Sequence, residues 1–391
     1  MNHLVSAATC QPFFLFIQLG HNTFVNPFVA VDVFLILHNL SHQLWDLTAS
    51  YSTPPYILQV FLDKAIELAQ RLLPAFNTTT GIPMSLINLQ TSTCRMFVWS
   101  RDKCSILAEA GTLHMEFKYL SELSGDPIYA AKVDRIRHVI SSLKRSKGMF
   151  YNYLDYRKPR WCANVSGLGG LADSFYEYLL KEWIRTDHRD IQAHELYQLG
   201  IEALFENGVF RESEKGHLYL STFSSGLLSD TMEHLACFAG GMLALGARDK
   251  SDIWFHRAVE ITRTCTYSYD VSITNLGPES FTFSPGIEAI PVKQNQKSYL
   301  QRPETVESYF YLWRLTKNET YRTVALKVVE ATQAELCELI TLVLHPPPYL
   351  PRSHFHKSAI SHFTVHVGML LLDYSIYTVS CSSLNAVANS G

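Results

Sequence analysis

The stretch Ser105-Ile106-Leu107-Ala108-Glu109-Ala110-Gly111-Thr112-Leu113-His114-Met115-Glu116-Phe117-Lys118-Tyr119-Leu120-Ser121-Glu122-Leu123-Ser124, closed by Gly125-Asp126-Pro127, decides the fold. Its apolar residues Ile106, Leu107, Ala110, Leu113, Phe117, Leu120 and Leu123 recur every three or four positions, the spacing of a helix with one buried face. Gly125 and Pro127 stop that helix, and a second helical stretch runs to about Lys144. The unit is therefore a helical hairpin. It recurs as 171–186 with 191–207, 231–247 with 250–266, and 302–316 with 319–340. Short polar turns such as Thr186-Asp187-His188-Arg189 and Lys317-Asn318 join the members of a pair, and an earlier helix over 56–73 ends at Pro74.

The first helices begin near 105, 171, 231 and 302, roughly 60–70 residues apart, too far for common solenoids. Between the pairs lie longer segments rich in Gly, Ser, Tyr and Pro. The pattern predicts an all-α architecture: an α/α toroid of hairpins, with loops and β-hairpins elaborated on one face. Each first helix carries an acid or a histidine in its opening turn: Glu109, Asp173, Glu233 with His234, and Glu304 with Glu307. One such acid is uninformative, because the helix dipole favours negative charge at any N-terminus. The same placement on four hairpins predicts a group of carboxylates at one opening.

Composition agrees with a packed protein. Of 391 residues, 47% are hydrophobic and 18% charged, which argues against disorder. Lys and Arg total 33 against 36 Asp and Glu, and a net charge of −3 argues against a nucleic-acid role, which needs a basic face.

Six strings, in order, give the chain its resemblance. They are Leu72-Leu73-Pro74-Ala75-Phe76-Asn77 with Thr80-Gly81-Ile82-Pro83; Ser105-Ile106-Leu107-Ala108-Glu109 with Gly111-Thr112-Leu113-His114; and Asp173-Ser174-Phe175-Tyr176-Glu177-Tyr178-Leu179-Leu180-Lys181. The others are Met232-Glu233-His234-Leu235-Ala236-Cys237-Phe238-Ala239-Gly240-Gly241-Met242, Leu276-Gly277-Pro278-Glu279, and Arg302-Pro303-Glu304-Thr305-Val306-Glu307-Ser308. Over about 56–333 the chain resembles the class I α-1,2-mannosidases, glycoside hydrolase family 47. Leu171, two residues before Asp173, is similar to the Golgi-type subgroup.

The resemblance implies an (α/α)7 barrel that removes terminal α-1,2-linked mannose from high-mannose N-glycans on glycoproteins, with inversion and a bound Ca²⁺. Inversion uses one carboxyl to protonate the leaving oxygen and another to activate water on the opposite face of the sugar. By resemblance Glu304 is the base and Asp173 the acid or its electrostatic support. Glu109, Glu279 and Glu307 match pocket acids that bind sugar hydroxyls or the waters around calcium, His234 matches the family's active-site histidine and is substrate-binding, and Arg302 orients its neighbouring carboxylates. Cys237 and Cys265 match the family's disulfide, with reduced core thiols as the alternative. The implied setting is the lumen of the secretory pathway, Golgi or endoplasmic reticulum.

Two family features are missing. The third catalytic acid lies in a Phe-Glu-x-x-x-Arg helix just before the region matching 64–76, yet residues 1–63 contain no Glu and no Arg. The Thr-Glu-Ala-His-Pro segment, whose Thr ligates calcium, is not found after residue 333. The expected organisation is a divergent apolar segment at 1–55, an incomplete catalytic barrel at 56–340 and a divergent tail at 341–391. No apolar run in 1–63 reaches the ~18 residues of a membrane span, so membrane association would depend on a missing or divergent anchor. The alternative to an active mannosidase is a catalytically impaired member or an incomplete gene product that only binds glycan. Asn-x-Ser/Thr triplets stand at Asn39, Asn77, Asn164 and Asn318.

Overall fold

A computed structural model describes residues 24–25 and 55–344, with side chains described over 59–335. The expectations for 1–23, 26–54 and 345–391, including an anchor, the divergent ends and Asn39, lie outside the described residues.

The helices pair as the periodicity requires. Pro55–Leu72 comes first and ends in the short turn Leu73–Phe76. His114–Ser124 pairs with Ile128–Ser142, Asp173–Arg185 with Ile191–Glu206, Phe238–Gly246 with Ile253–Asp270, and Glu304–Thr316 with Thr320–Leu344. Gly125 caps the first of these with φ 74°, the left-handed geometry that lacks a Cβ penalty only in glycine. The first helices of successive pairs pack on one another, 114–124 on 173–185, then 238–246, then 304–316, while each second helix packs on its partner. This is the α/α arrangement. Among the described residues it comprises four hairpins and the unpaired Pro55–Leu72 helix.

Two helices expected from the sequence are interrupted. The stretch 105–124 is a strand at Ser105–Ile106, a short helix Leu107–Gly111 and the helix His114–Ser124. The Thr112 hydroxyl donates to the Ala108 carbonyl, and Thr112 itself leaves helical geometry at φ −115°, ψ 24°. The stretch 231–247 opens as a strand, Thr231–Glu233, and a 3-10 turn, His234–Cys237, before the helix starts at Phe238. That strand is claimed by Ser280–Ser284, which in turn pairs with Ile287–Ile290. Cross-strand hydrogen bonding overrides a local helical pattern here.

Close helix contacts depend on small residues. A Cβ on Gly240 would lie 2.1 Å from Thr262 Oγ1, and one on Gly111 would lie 2.4 Å from Phe175. Ser308, fully buried, donates to the Cys237 carbonyl at 2.6 Å and accepts from Gly241 N–H at 2.8 Å, stitching Glu304–Thr316 to the His234 turn.

Cys237 and Cys265 form a disulfide across one hairpin, and Cys104–Cys162 form a second. With Cys237 and Cys265 paired, six other cysteines allow 15 pairings, so spacing could not single out Cys104–Cys162. Cys237→Ser is expected to cost about 3–4 kcal/mol, the loop-closure value for a 28-residue separation. Urea denaturation of oxidised chain and variant checks it; a loss under about 1 kcal/mol would refute it.

Candidate active site

The sheet builds the first part of the site. Glu233 pairs with Ser280, and the ladder continues as His234 N–H donates to the Glu279 carbonyl at 2.9 Å. Glu279 is thereby fixed beside the His234 turn. Its carboxylate takes two parallel hydrogen bonds from Arg302, both 2.6 Å, the bidentate geometry in which guanidinium and carboxylate match best. Arg302 precedes Pro303 and Glu304, so this pair holds the start of the Glu304–Thr316 helix against the sheet.

His234 is buried. Its Nε2 lies 2.6 Å from the Tyr269 hydroxyl and 3.4 Å from that of Thr305. Its Nδ1 lies 3.6 Å from Glu304 Oε2, and both atoms are buried without a hydrogen-bond partner. Two unsatisfied buried polar atoms facing one another mark a place for a water or a ligand hydroxyl.

Asp173 opens the Asp173–Arg185 helix, where its Oδ1 accepts from Ser174 N–H at 2.7 Å. Burial raises its pKa to about 7, against the Ser174 hydrogen bonds; the charges of Glu177 and Glu304 add to the rise. Asp173 and Glu304 are thus within electrostatic reach. Glu307 is also raised to about 7, first by burial and then by Glu177, with Lys181 opposing. Lys181 pairs with Glu177 on its own helix and lies 3.6 Å from Glu307 on the neighbouring one. At neutral pH these carboxyls straddle protonated and ionised forms, as groups that give and take protons do.

Glu109 stands in the Leu107–Gly111 helix and accepts from Ser85 Oγ at 2.9 Å. Ala108 N–H donates to the Leu171 carbonyl at 3.0 Å, which ties this short helix to the segment leading into Asp173. Gly170 N–H in turn reaches Glu233 Oε2 at 2.9 Å, so Glu233 joins the rim from a strand rather than from the helical turn expected.

Glu177, Lys181, Tyr269 and Thr305 were not singled out as site residues from sequence. Glu177 and Lys181 follow Asp173 at i+4 and i+8, so a helical reading of the motif could have placed them on its face. Tyr269 carries no such signal.

Calcium takes six to eight oxygens. Of Asp173, Glu279, Glu304 and Glu307, two already face a cation, and the remaining pair offers at most four oxygens; these residues do not fit a direct calcium cage. A different trio, His114, Glu182 and Asp190, has ligand atoms within 4.8 Å of one another. It is engaged by Arg137 and Arg185. Glu182 also lies nine residues along the helix from Asp173, about 13 Å at 1.5 Å per residue, so this trio does not belong to the same site. Among the described residues no helix is long and apolar enough to cross a membrane.

Residues 44–338 match the family described as "Glycosyl hydrolase family 47". The chain is 46% identical over 279 residues to "Mannosyl-oligosaccharide 1,2-alpha-mannosidase IA" of Sus scrofa, covering 70% of this chain and 42% of that protein. It is 42% identical over 280 residues to "Mannosyl-oligosaccharide 1,2-alpha-mannosidase IC" of Homo sapiens, covering 70% and 44%. The chain thus spans less than half the length of these relatives. In fold it is similar to the solved "alpha-1,2-mannosidase from Trichoderma reesei", with TM-score 0.68 and 22% identity over 79% of this chain and 68% of that one.

Proposed function

The chain belongs to glycosyl hydrolase family 47, and on that premise we propose that its cluster of acids is an α-1,2-mannosidase site that takes terminal α-1,2-linked mannose of high-mannose N-glycans. The observation that supports this reading is that Asp173 and Glu304, from two different hairpins, lie within electrostatic reach of one another, while Glu304 Oε2 faces His234 Nδ1 with neither atom hydrogen-bonded. In an inverting cleavage Asp173, raised toward neutrality, still carries a proton near pH 7 and can deliver it to the leaving oxygen. Glu304 acts as the base toward water, with His234 Nδ1 facing its free oxygen. Arg302 holds Glu279 in place, where it and Glu307 accept hydrogen bonds from sugar hydroxyls. Glu109 and His234 complete the binding wall. The unit that does this is 56–340, working in the lumen of the Golgi or endoplasmic reticulum. The acids described do not make a direct calcium cage, so none of these steps is routed through calcium.

The absence of any Glu in residues 1–63 favours a second reading for turnover: the pocket binds mannose but hydrolyses it at or near background. Calorimetry with α-1,2-mannobiose tests binding, and mannose release from a high-mannose glycan, with and without calcium, tests turnover. Saturable binding with background release is the expected result. No binding by the folded chain would sink the site, and release at ordinary family rates would sink the impaired reading. Calcium titrated alone is expected to give no saturating heat in the micromolar range.

A further inference from the structure

We propose that Asn318 is an attachment point for an N-linked oligosaccharide. The triplet Asn318-Glu319-Thr320 has the acceptor pattern, and it occupies the turn between the Glu304–Thr316 and Thr320–Leu344 helices. All three residues are exposed. The turn is formed by Lys317 at φ 60°, whose N–H returns to the Trp313 carbonyl. Asn318 Oδ1 accepts from Thr320 N–H at 3.0 Å and so caps the next helix. The amide nitrogen Nδ2, the atom that would be glycosylated, makes no hydrogen bond among the described residues and faces solvent. Glycosylation keeps the amide oxygen, so the cap survives the modification.

Position separates Asn318 from the other described triplets. It stands 14 residues after Glu304, at the far end of a helix of 13 residues, about 20 Å long at 1.5 Å per residue. A bulky sugar there stays clear of the acids. Asn164, by contrast, precedes the Gly169–Gly170 segment that meets Glu233, and its Ser166 hydroxyl is buried, donating to the Phe150 carbonyl at 2.6 Å. Asn77 begins the loop that runs to Ser85 and Glu109.

The donor is an oligosaccharide on a lipid diphosphate. Transfer forms a bond between Nδ2 and the sugar C1 and breaks the bond from C1 to the diphosphate oxygen. The diphosphate leaves with the electron pair, and a base on the transferase takes the amide proton.

The test uses the full chain behind a cleavable secretion leader, translated with microsomes, and examines only the protease-protected fraction. Amide-cleaving deglycosylation in ¹⁸O-water should convert residue 318 to labelled aspartate in most molecules. Asn318→Gln and Thr320→Val should each remove one glycan's worth of mass, while Thr320→Ser keeps it. A protease-protected chain whose peptide carries unmodified Asn318 would overturn the proposal. The readout needs no mannosidase activity, so it stands or falls separately from the proposed function.

Discussion

Asp173→Asn is expected to raise the stability of the chain at pH 8 while leaving it unchanged near pH 3. The carboxyl titrates at about 7 in the folded chain and near its ordinary 3.8 when unfolded, chiefly because folding buries it. Between those values the folded state holds a proton that the unfolded state releases. Stability from this group is therefore fully present below about pH 4, declines as pH rises through 7, and is absent above. A shift of about three pK units corresponds to at most about 4 kcal/mol. Asparagine never ionises, so the variant escapes that loss at pH 8, and its Oδ1 can still accept from Ser174 N–H. Urea midpoints at pH 3 and 8 check it. Equal effects at both would show that Asp173 is not held protonated by burial. A carboxyl whose neutralisation stabilises the folded chain is held there at a cost to folding.

Asp190→Ala is expected to cost about 3–5 kcal/mol, although the residue lies on a turn far from the acids. Asp190 does two things. Its Oδ1 caps the Ile191–Glu206 helix through Ala193 N–H at 3.1 Å, and its other oxygen pairs with Arg137. The Arg137 side chain is only 7% exposed. Burial acts to raise the Asp190 pKa, and Arg137 outweighs it, holding the carboxyl below the usual range. Removing the acid strands a buried guanidinium beside His114, whose pKa burial and Arg137 already depress; breaking such a pair from one side is the costly direction. Replacing Arg137 with Met in the same chain should recover much of the loss. If the double variant is no more stable than Asp190→Ala, the cost is the helix cap alone, worth about 1 kcal/mol.

The expected hairpins and the observed ones agree because the signals are local. Three-and-four spacing needs only a dozen neighbouring residues, and Gly125 or Pro127 stops a helix through its own backbone. Where the reading failed, a distant segment competed. Thr231–Glu233 is a strand because residues 280–282 lie beside it, roughly fifty positions away. Sequence by itself determined the repeated hairpin, the family and the acids worth watching, since each is written in consecutive residues. Tertiary structure alone decided that Asp173 and Glu307 sit near neutrality, that Glu279 is gripped by Arg302, that Cys104 finds Cys162 and that Arg137 is buried against Asp190. A pKa or a buried ion pair depends on how much water folding removes and which charge is left opposite, and no stretch of chain carries that information until its partners have packed against it.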